Sequence, residues 1–374
     1  MRSSVAKERS AVPEVDAVND VIRVYIERQE VSGAVTAVVL PDRIAHLGAV
    51  GNADIERNMP MAADTMFWIA SMTKPVIAAA VMMVKDDGKI AFDDAVERYI
   101  PEFKNIKAVD GTYRRLTIRQ LLTHTSGLAE ATADENSKAM TLADIIPRYT
   151  SKALLYEPGS KWQYCQSCIN TLGRIVEIVS GKPLPDFIAE RIFKPLGMND
   201  TGFYPDGRQQ LRIAKPYANV QGRLVPAEVA GIYHPKLPHF PAANGGLYST
   251  AADYAQFCRM LINRGTLDGK HYLDEKTIEE MSSVQTGGLK TGFTEGNAWG
   301  LGVCVVRKPQ GVTAVLSTGS YGHGGAYGTQ AWIDPVKRIA YILLVQRSNF
   351  PNADASDLRK EFQAAAYAAV LRQG

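Results

Sequence analysis

The sequence lacks an apolar run long enough to cross a membrane. Its longest uninterrupted apolar stretch begins at Pro75 and ends at Val84, far short of the roughly 20 residues a spanning helix needs. It also lacks a strong charge imbalance, since 42 lysines and arginines face 39 acids for a net +3. With no basic block beyond Arg114-Arg115, the electrostatic footprint of a nucleic-acid or anionic-membrane binder is missing. Cysteine is scarce at four residues, which argues against a disulfide scaffold at this length. Cys165 and Cys168 form C-x-x-C, but no second ligand pair at comparable spacing accompanies them. The expectation is two small buried thiols, no metal and no cofactor. The opening residues, "MRSSVAKERSAVPEVDAVND", hold no apolar secretory core. The protein is therefore expected in the cytoplasm, or in the periplasm if a leader was removed. Internal repeats and low-complexity segments are absent. No serine has a glycine two positions before it, so the G-x-S-x-G elbow of α/β-hydrolases cannot occur.

What is present is a chain of 374 residues, 46% hydrophobic, enough for one large domain or two lobes. A first helix is expected from about Pro13 to Glu30, with Val15, Val18, Ile22 and Ile26 on one face. Two strand-like runs follow, "GAVTAVVL" and "RIAHLGAV", joined across Pro41-Asp42. From Ser71 to about Glu190 the signals are helical. The last third returns to strands in "WGLGVCVV", "VTAVLS", "GTQAWID" and "RIAYILLVQ". "DASDLRKEFQAAAYAAVLRQ" closes the chain as a helix with Ala, Leu and Phe inward. The pattern implies an α/β fold of the α+β type. One antiparallel sheet, built from both ends of the chain and flanked by terminal helices, would carry an inserted all-helical lobe. The expected division is 1–70 plus 225–374 for the sheet lobe and 71–224 for the helical lobe, with a ligand crevice between them.

The chemistry gathers at "IASMTKPVIAAAVMMVKDDGK". Pro75 is tolerated only in a first helical turn, so the helix starts near Ser71 or Met72. Ser71 and Lys74 then share one face of that turn. Unpaired N–H groups and the positive dipole end favour a serine alkoxide and a developing oxyanion. The same field, together with burial, lowers the Lys74 pKa, and a neutral lysine beside a serine is a general base. S-x-x-K alone also describes a capping serine and a surface lysine. Here the flanks decide, because Phe67-Trp68-Ile69-Ala70 and Val76 to Met83 are apolar. Burying a lysine without use is costly.

"SMTK", "LTIRQLLTHTSGL", "WQYCQSCINTLGRIVE", "NGGLYSTAADYAQF" and "GHGGAYGTQAWIDP" together resemble the serine β-lactamase and penicillin-binding-protein superfamily. The likeness is greatest to the class C β-lactamase-like group with its family VIII carboxylesterases. The resemblance implies that Ser71 is the acylated nucleophile, Lys74 its proton partner and Tyr164 the motif tyrosine. Tyr164 would act as a phenolate, or hydrogen-bonded to Lys74, and an adjacent ammonium would lower its pKa. It implies an oxyanion hole from the backbone N–H groups of Ser71 and Ala326. His323, Gly324 and Gly325 would line the substrate, the glycines letting it lie against the strand edge. His124 and Ser126 in "HTSGL" are read as structural, and Thr250 to Asp253 as a capping box.

Two motif positions depart from the family. Its asparagine after the tyrosine is Gln166, whose extra methylene means that the amide must be held elsewhere. Its K-T-G is His323-Gly324-Gly325, which removes a cation and a hydroxyl that help to hold a substrate carboxylate. By its ordinary pKa of about 6.5 the histidine would gain charge as the pH falls towards about 6. The leading expectation is a serine hydrolase cleaving small-molecule carboxylic esters through an acyl-enzyme, with no nucleic-acid or membrane partner. A β-lactamase, D,D-peptidase or acyltransferase is the second reading, and a non-catalytic ligand-binding relative the third.

Overall fold

The computed structural model describes residues 16–229, 231–351 and 353–372. An eight-stranded, wholly antiparallel sheet organises it. Its strands are β1 (Gly33–Val39), β2 (Ile44–Asp54), β3 (Met59–Pro60), β4 (Asn297–Trp299), β5 (Cys304–Val306), β6 (Tyr321–Gly324), β7 (Gln330–Asp334) and β8 (Ile339–Leu344). The order across the sheet is β4-β5-β6-β7-β8-β1-β2-β3. The two ends of the chain therefore meet where β8 pairs with β1, Val35 opposite Leu344.

Side chains alternate across these strands, so each face has its own core. Val35, Ala37, Ala340, Ile342 and Leu344 belong to one apolar cluster. Ala34, Val38, Ile339, Tyr341 and Leu343 belong to another. The second face is covered by α1 (Asp16–Glu27) and the closing helix, which supply Val18, Ile22, Leu358, Phe362 and Ala366. Pro13 and Val15 of the expected first helix lie outside the described residues. The first face packs on the helix Ala251–Ile262 and, at β6, on α2 (Thr73–Asp86), whose residues are buried from Thr73 to Val84. A helix buried on all sides must be apolar all round, and over that buried span this one is, apart from Thr73 and Lys74. The other long helices are α3 (Gln166–Ser180), α4 (Ala251–Ile262) and the closing α5 (Asp357–Leu371).

Two strand expectations need correction. "VTAVLS" forms no strand. A 3₁₀ turn spans Gly311–Thr313, and successive turn bonds join Ala314 to Gly311 and Leu316 to Thr313. Val312 and Leu316 are still buried, so the apolar signal marks burial rather than extension. "WGLGVCVV" is two strands, because Gly300 N–H bonds the Val303 carbonyl at 2.9 Å and turns the chain between β4 and β5. The expected capping box at Thr250 is only half formed. Thr250 Oγ1 accepts from Asp253 N–H, whereas the Asp253 carboxylate takes Asp200 N–H and the Thr201 hydroxyl. No helix among the described residues is long and apolar enough to cross a membrane.

Candidate active site

Ser71 sits in a 3₁₀ turn, Ala70–Met72, that feeds directly into α2. The turn is fixed from the sheet side. Thr329 Oγ1 donates to the Ile69 carbonyl at 3.2 Å, Gln346 Nε2 to the Trp68 carbonyl at 2.9 Å, and Ile69 N–H to the Leu247 carbonyl at 3.0 Å. Ala70, just before Ser71, is held at φ +46°. Such left-handed backbone costs a non-glycine residue about 1–2 kcal/mol and persists only where the surroundings impose it.

Lys74, one turn on, is wholly buried. Its Nζ lies 3.1 Å from Ser71 Oγ, 2.8 Å from Gln166 Oε1 and 2.6 Å from the Asn244 carbonyl oxygen. Burial pulls its pKa from 10.5 down to about 7, against the opposing pull of the Glu130 carboxylate. A neutral amine has two N–H bonds and one lone pair. The two carbonyl-type oxygens accept the N–H bonds, which leaves the lone pair for the Ser71 proton. Gln166 is the first residue of α3. Its extra methylene carries the amide oxygen to Lys74, where Asn244 Nδ2 also donates to it at 3.2 Å. The Glu130 carboxylate accepts the N–H groups of Gln166 at 2.6 Å and Ser167 at 2.9 Å. It so answers two free donors and the positive end of that helix.

Tyr164 lines the same cleft as Ser71. Its hydroxyl lies 3.3 Å from His323 Nε2. Lys74 Nζ stands over the Tyr164 ring, 4.6 Å from its centroid, and not at the hydroxyl. The rings of His124, Phe293 and His323 lie within 6 Å of it. Burial in these surroundings raises the phenol well above its ordinary pKa of 10.0, against the lowering influence of the Ser71 hydroxyl. The expected phenolate is therefore corrected to a neutral phenol.

His323, on β6, is buried and held neutral, its pKa pushed down to about 3 by burial and then by the Lys74 charge. Its Nδ1 lies 2.6 Å from the Gly324 carbonyl oxygen, so Nδ1 carries the proton and Nε2 is free to accept from Tyr164. The expected gain of charge near pH 6 is corrected accordingly. At both glycines a side chain would meet the protein itself. A Cβ on Gly324 would stand 2.0 Å from Asp354 Oδ1, and one on Gly325 2.6 Å from the Ile69 carbonyl oxygen. Just beyond them, Gly325 N–H bonds Thr329 O, whereas the Ala326 N–H has no protein acceptor among the described residues.

These groups share a cleft of about 470 Å³ lined by Ser71, Tyr164, Gln166, His323, Gly324, Gly325 and Ala326, with Phe293, Phe350 and Asp354. His124 lies behind Tyr164 with its Nδ1 3.2 Å from the Cys165 N–H. The Ser126 hydroxyl contacts Leu128 N–H and Cys168. Cys165 and Cys168 are joined in a disulfide across the first turn of α3, which corrects the two expected thiols, while Cys258 and Cys304 are free. Sequence reasoning missed Glu130, Asn244 and Asp354. Only Asn244 carried a signal, as the first residue of the "NGGLYSTAADYAQF" block.

An antiparallel sheet capped by terminal helices, with S-x-x-K at the mouth of a buried helix, defines a recognisable class of protein. The family model described as Beta-lactamase matches residues 18–366. The chain belongs to that family, within the serine β-lactamase and penicillin-binding-protein superfamily that its motifs imply. It is 33% identical over 364 residues to Protein Rv1367c of Mycobacterium tuberculosis (strain ATCC 25618 / H37Rv), covering 90% of each chain. It is 30% identical over 368 residues to Esterase EstB of Burkholderia gladioli, again covering 90% of each. Among solved structures, EstCE1, a hydrolase with promiscuous acyltransferase activity, superposes with a TM-score of 0.79 at 25% identity, over 95% of this chain and 98% of that one. A penicillin-binding protein homolog from Caulobacter crescentus shares the fold with a TM-score of 0.79 at 22% identity, over 96% and 98%.

Proposed function

We propose that the protein is a serine carboxylesterase that works through an acyl-enzyme on Ser71. The observation that carries this reading is the Lys74 amine. It is buried, drawn down to about 7, and has both N–H bonds engaged so that its lone pair meets Ser71. Ser71 Oγ attacks the ester carbonyl carbon and its proton passes to Lys74 Nζ. The N–H groups of Ser71 and Ala326 receive the charge that develops on the carbonyl oxygen. Collapse breaks the ester C–O bond, and Lys74 Nζ returns the proton to the departing alcohol oxygen, with the neutral Tyr164 hydroxyl as that oxygen's hydrogen-bond partner in the cleft. A water molecule then repeats the sequence on the acyl-serine, releasing the acid and restoring Ser71. His323 Nε2 and the Glu130 carboxylate are positioning groups, the first for the Tyr164 hydroxyl and the second for Gln166. The cleft joins Ser71 and Tyr164 of the middle segment to His323 and Asp354 of the sheet side. This supports a division into lobes of 71–224 and of 1–70 plus 225–374.

The likeness to Esterase EstB and to the hydrolase EstCE1 supports the ester-cleaving reading. The 30% identity to Putative penicillin-binding protein PbpX of Bacillus subtilis (strain 168), over 75% of this chain and 66% of that one, favours a β-lactam or D,D-peptide substrate instead. The site weighs against that alternative. A carboxylate-bearing substrate finds a neutral histidine, a glycine and the Asp354 carboxyl where the family has a cation and a hydroxyl. Losing a sheltered charge-assisted hydrogen bond is worth at least about tenfold in affinity. The deciding experiment sets short-chain p-nitrophenyl esters beside a chromogenic cephalosporin at neutral pH. The expected kcat/KM for the best ester exceeds that for the cephalosporin by at least about tenfold. Faster turnover of the cephalosporin than of every ester would put a β-lactamase in place of the esterase.

A further inference from the structure

The cleft holds one carboxyl that the acyl-transfer scheme leaves unused. Asp354 lies in the loop that leads from β8 into α5, half-buried, and lines the same cleft as Ser71 and Tyr164. Its Oδ1 occupies the space that any side chain at Gly324 would need, 2.0 Å from the position of a Cβ there. The carboxyl is thus pressed against the strand along which the substrate is placed. Among the described residues it forms no ion pair. The Arg359 guanidinium, buried and stacked 3.9 Å over Trp332, bonds the Asp354 backbone carbonyl and not its carboxylate. The carboxyl's one side-chain partner among the described residues is Gln330 Nε2 at 3.4 Å, a nitrogen that also donates to the Ala353 carbonyl at 3.0 Å.

The rest of the cleft suits a cation. Among the described residues no lysine or arginine lines it, and Lys74 lies buried behind Ser71. Phe293 and Phe350 supply aromatic surface, which attracts an ammonium through the ring face or packs against its alkyl groups. Arg347 covers part of Phe350 from 4.5 Å, with its guanidinium paired to Glu30 outside the cleft lining. A half-desolvated carboxylate with one weak partner gains most from a charged donor. Burial raises the Asp354 carboxyl, against the pull of Arg359, and an ammonium ligand would reverse that shift.

We propose that the cleft selects esters carrying an ammonium group, and that Asp354 receives it. The proposal rests on the esterase reading and adds its substrate class. A carboxylate on the substrate would meet like charge at the same place.

Two matched pairs of esters test it. In one, the butyrate of 2-(dimethylamino)ethanol is set against 3-methylbutyl butyrate, which places the charge on the alcohol. In the other, ethyl 4-(dimethylamino)butanoate is set against ethyl 5-methylhexanoate, which places it on the acyl chain. The expected result is a kcat/KM at least about tenfold higher for the ammonium ester in one of the pairs at low salt. In Asp354→Asn that ratio should fall to near one, and a ratio within one preparation cancels any general loss of folded enzyme. Ratios near one in both pairs for the unaltered protein overturn the proposal, and so does a preference that survives Asp354→Asn. Calorimetric binding of the same esters to Ser71→Ala separates this inference from the esterase reading. If no ester is turned over, the esterase reading falls, while tighter binding of the ammonium ester still sustains the Asp354 assignment and equal binding refutes it.

Discussion

Lys74→Met keeps the length and apolar stem of the side chain and removes its amine. The unfolded chain holds an ordinary lysine near 10.5, whereas burial brings the folded one to about 7. Below about pH 7 the amine is charged in both states, and the folded state bears the full cost of the buried charge, roughly 5 kcal/mol. Between those two pKa values the unfolded chain binds a proton that the folded chain has released. Folded stability therefore rises with pH in that window, by about 1.4 kcal/mol per pH unit. Methionine does not titrate, so the stability difference between the wild type and Lys74→Met isolates this slope. It should move by about 2–3 kcal/mol in favour of the wild type between about pH 7.5 and 9.5. The variant also strands the Asn244 carbonyl and part of the Gln166 amide, at about 1–3 kcal/mol each, but that loss does not depend on pH. Urea unfolding of both proteins at several pH values reads the difference directly. Parallel pH profiles would refute the claim that Lys74 loses its proton near neutrality in the folded state. The same titration should appear in catalysis, with kcat/KM for a neutral ester rising through a midpoint near pH 7.

Other consequences follow from single contacts. Gly324→Ala should cost about 1–3 kcal/mol in stability, because its Cβ lands on Asp354 Oδ1 and on the Gln330 amide. Combined with Asp354→Ala, denaturant midpoints should show at least about 1 kcal/mol of favourable coupling, and strictly additive losses would contradict the contact. Thiol titration in denaturant without reductant should find two reactive cysteines, Cys258 and Cys304, and four only after reduction; four at the outset would show that Cys165 and Cys168 are not joined. Lys74→Ala and Tyr164→Phe should each lower ester kcat by orders of magnitude, and the double variant should fall little below the worse single one. Additive losses would assign the two residues separate steps.

The parts of the site that the sequence disclosed are those with a local signature. Ser71 and Lys74 are one helical turn apart, and Pro75 marks where that turn begins, so their shared face is readable without a fold. Tyr164 and Gln166 bracket Cys165 at the mouth of α3 and were found through the block they stand in. Glu130 and Asp354 have no such signature. Glu130 reaches Gln166 across 36 residues, and Asp354 touches Gly324 only because a loop folds back over β6. Asn244 meets Lys74 through its backbone carbonyl, which no residue type announces, although its side-chain amide also donates to Gln166. Protonation was the other blind point. The Tyr164 phenol and the His323 ring are set by surrounding rings and by depth, and neither can be read from spacing. "VTAVLS" misled because β-branched residues signal burial as readily as extension.

The central claim is that acyl transfer runs through Ser71, and a serine-directed phosphonate tests it most directly. Intact-mass measurement should show a single adduct per chain, peptide mapping should place it on Ser71, and labelling and ester hydrolysis should be lost together in Ser71→Ala. An adduct on any other residue, or full activity in Ser71→Ala, would contradict the account.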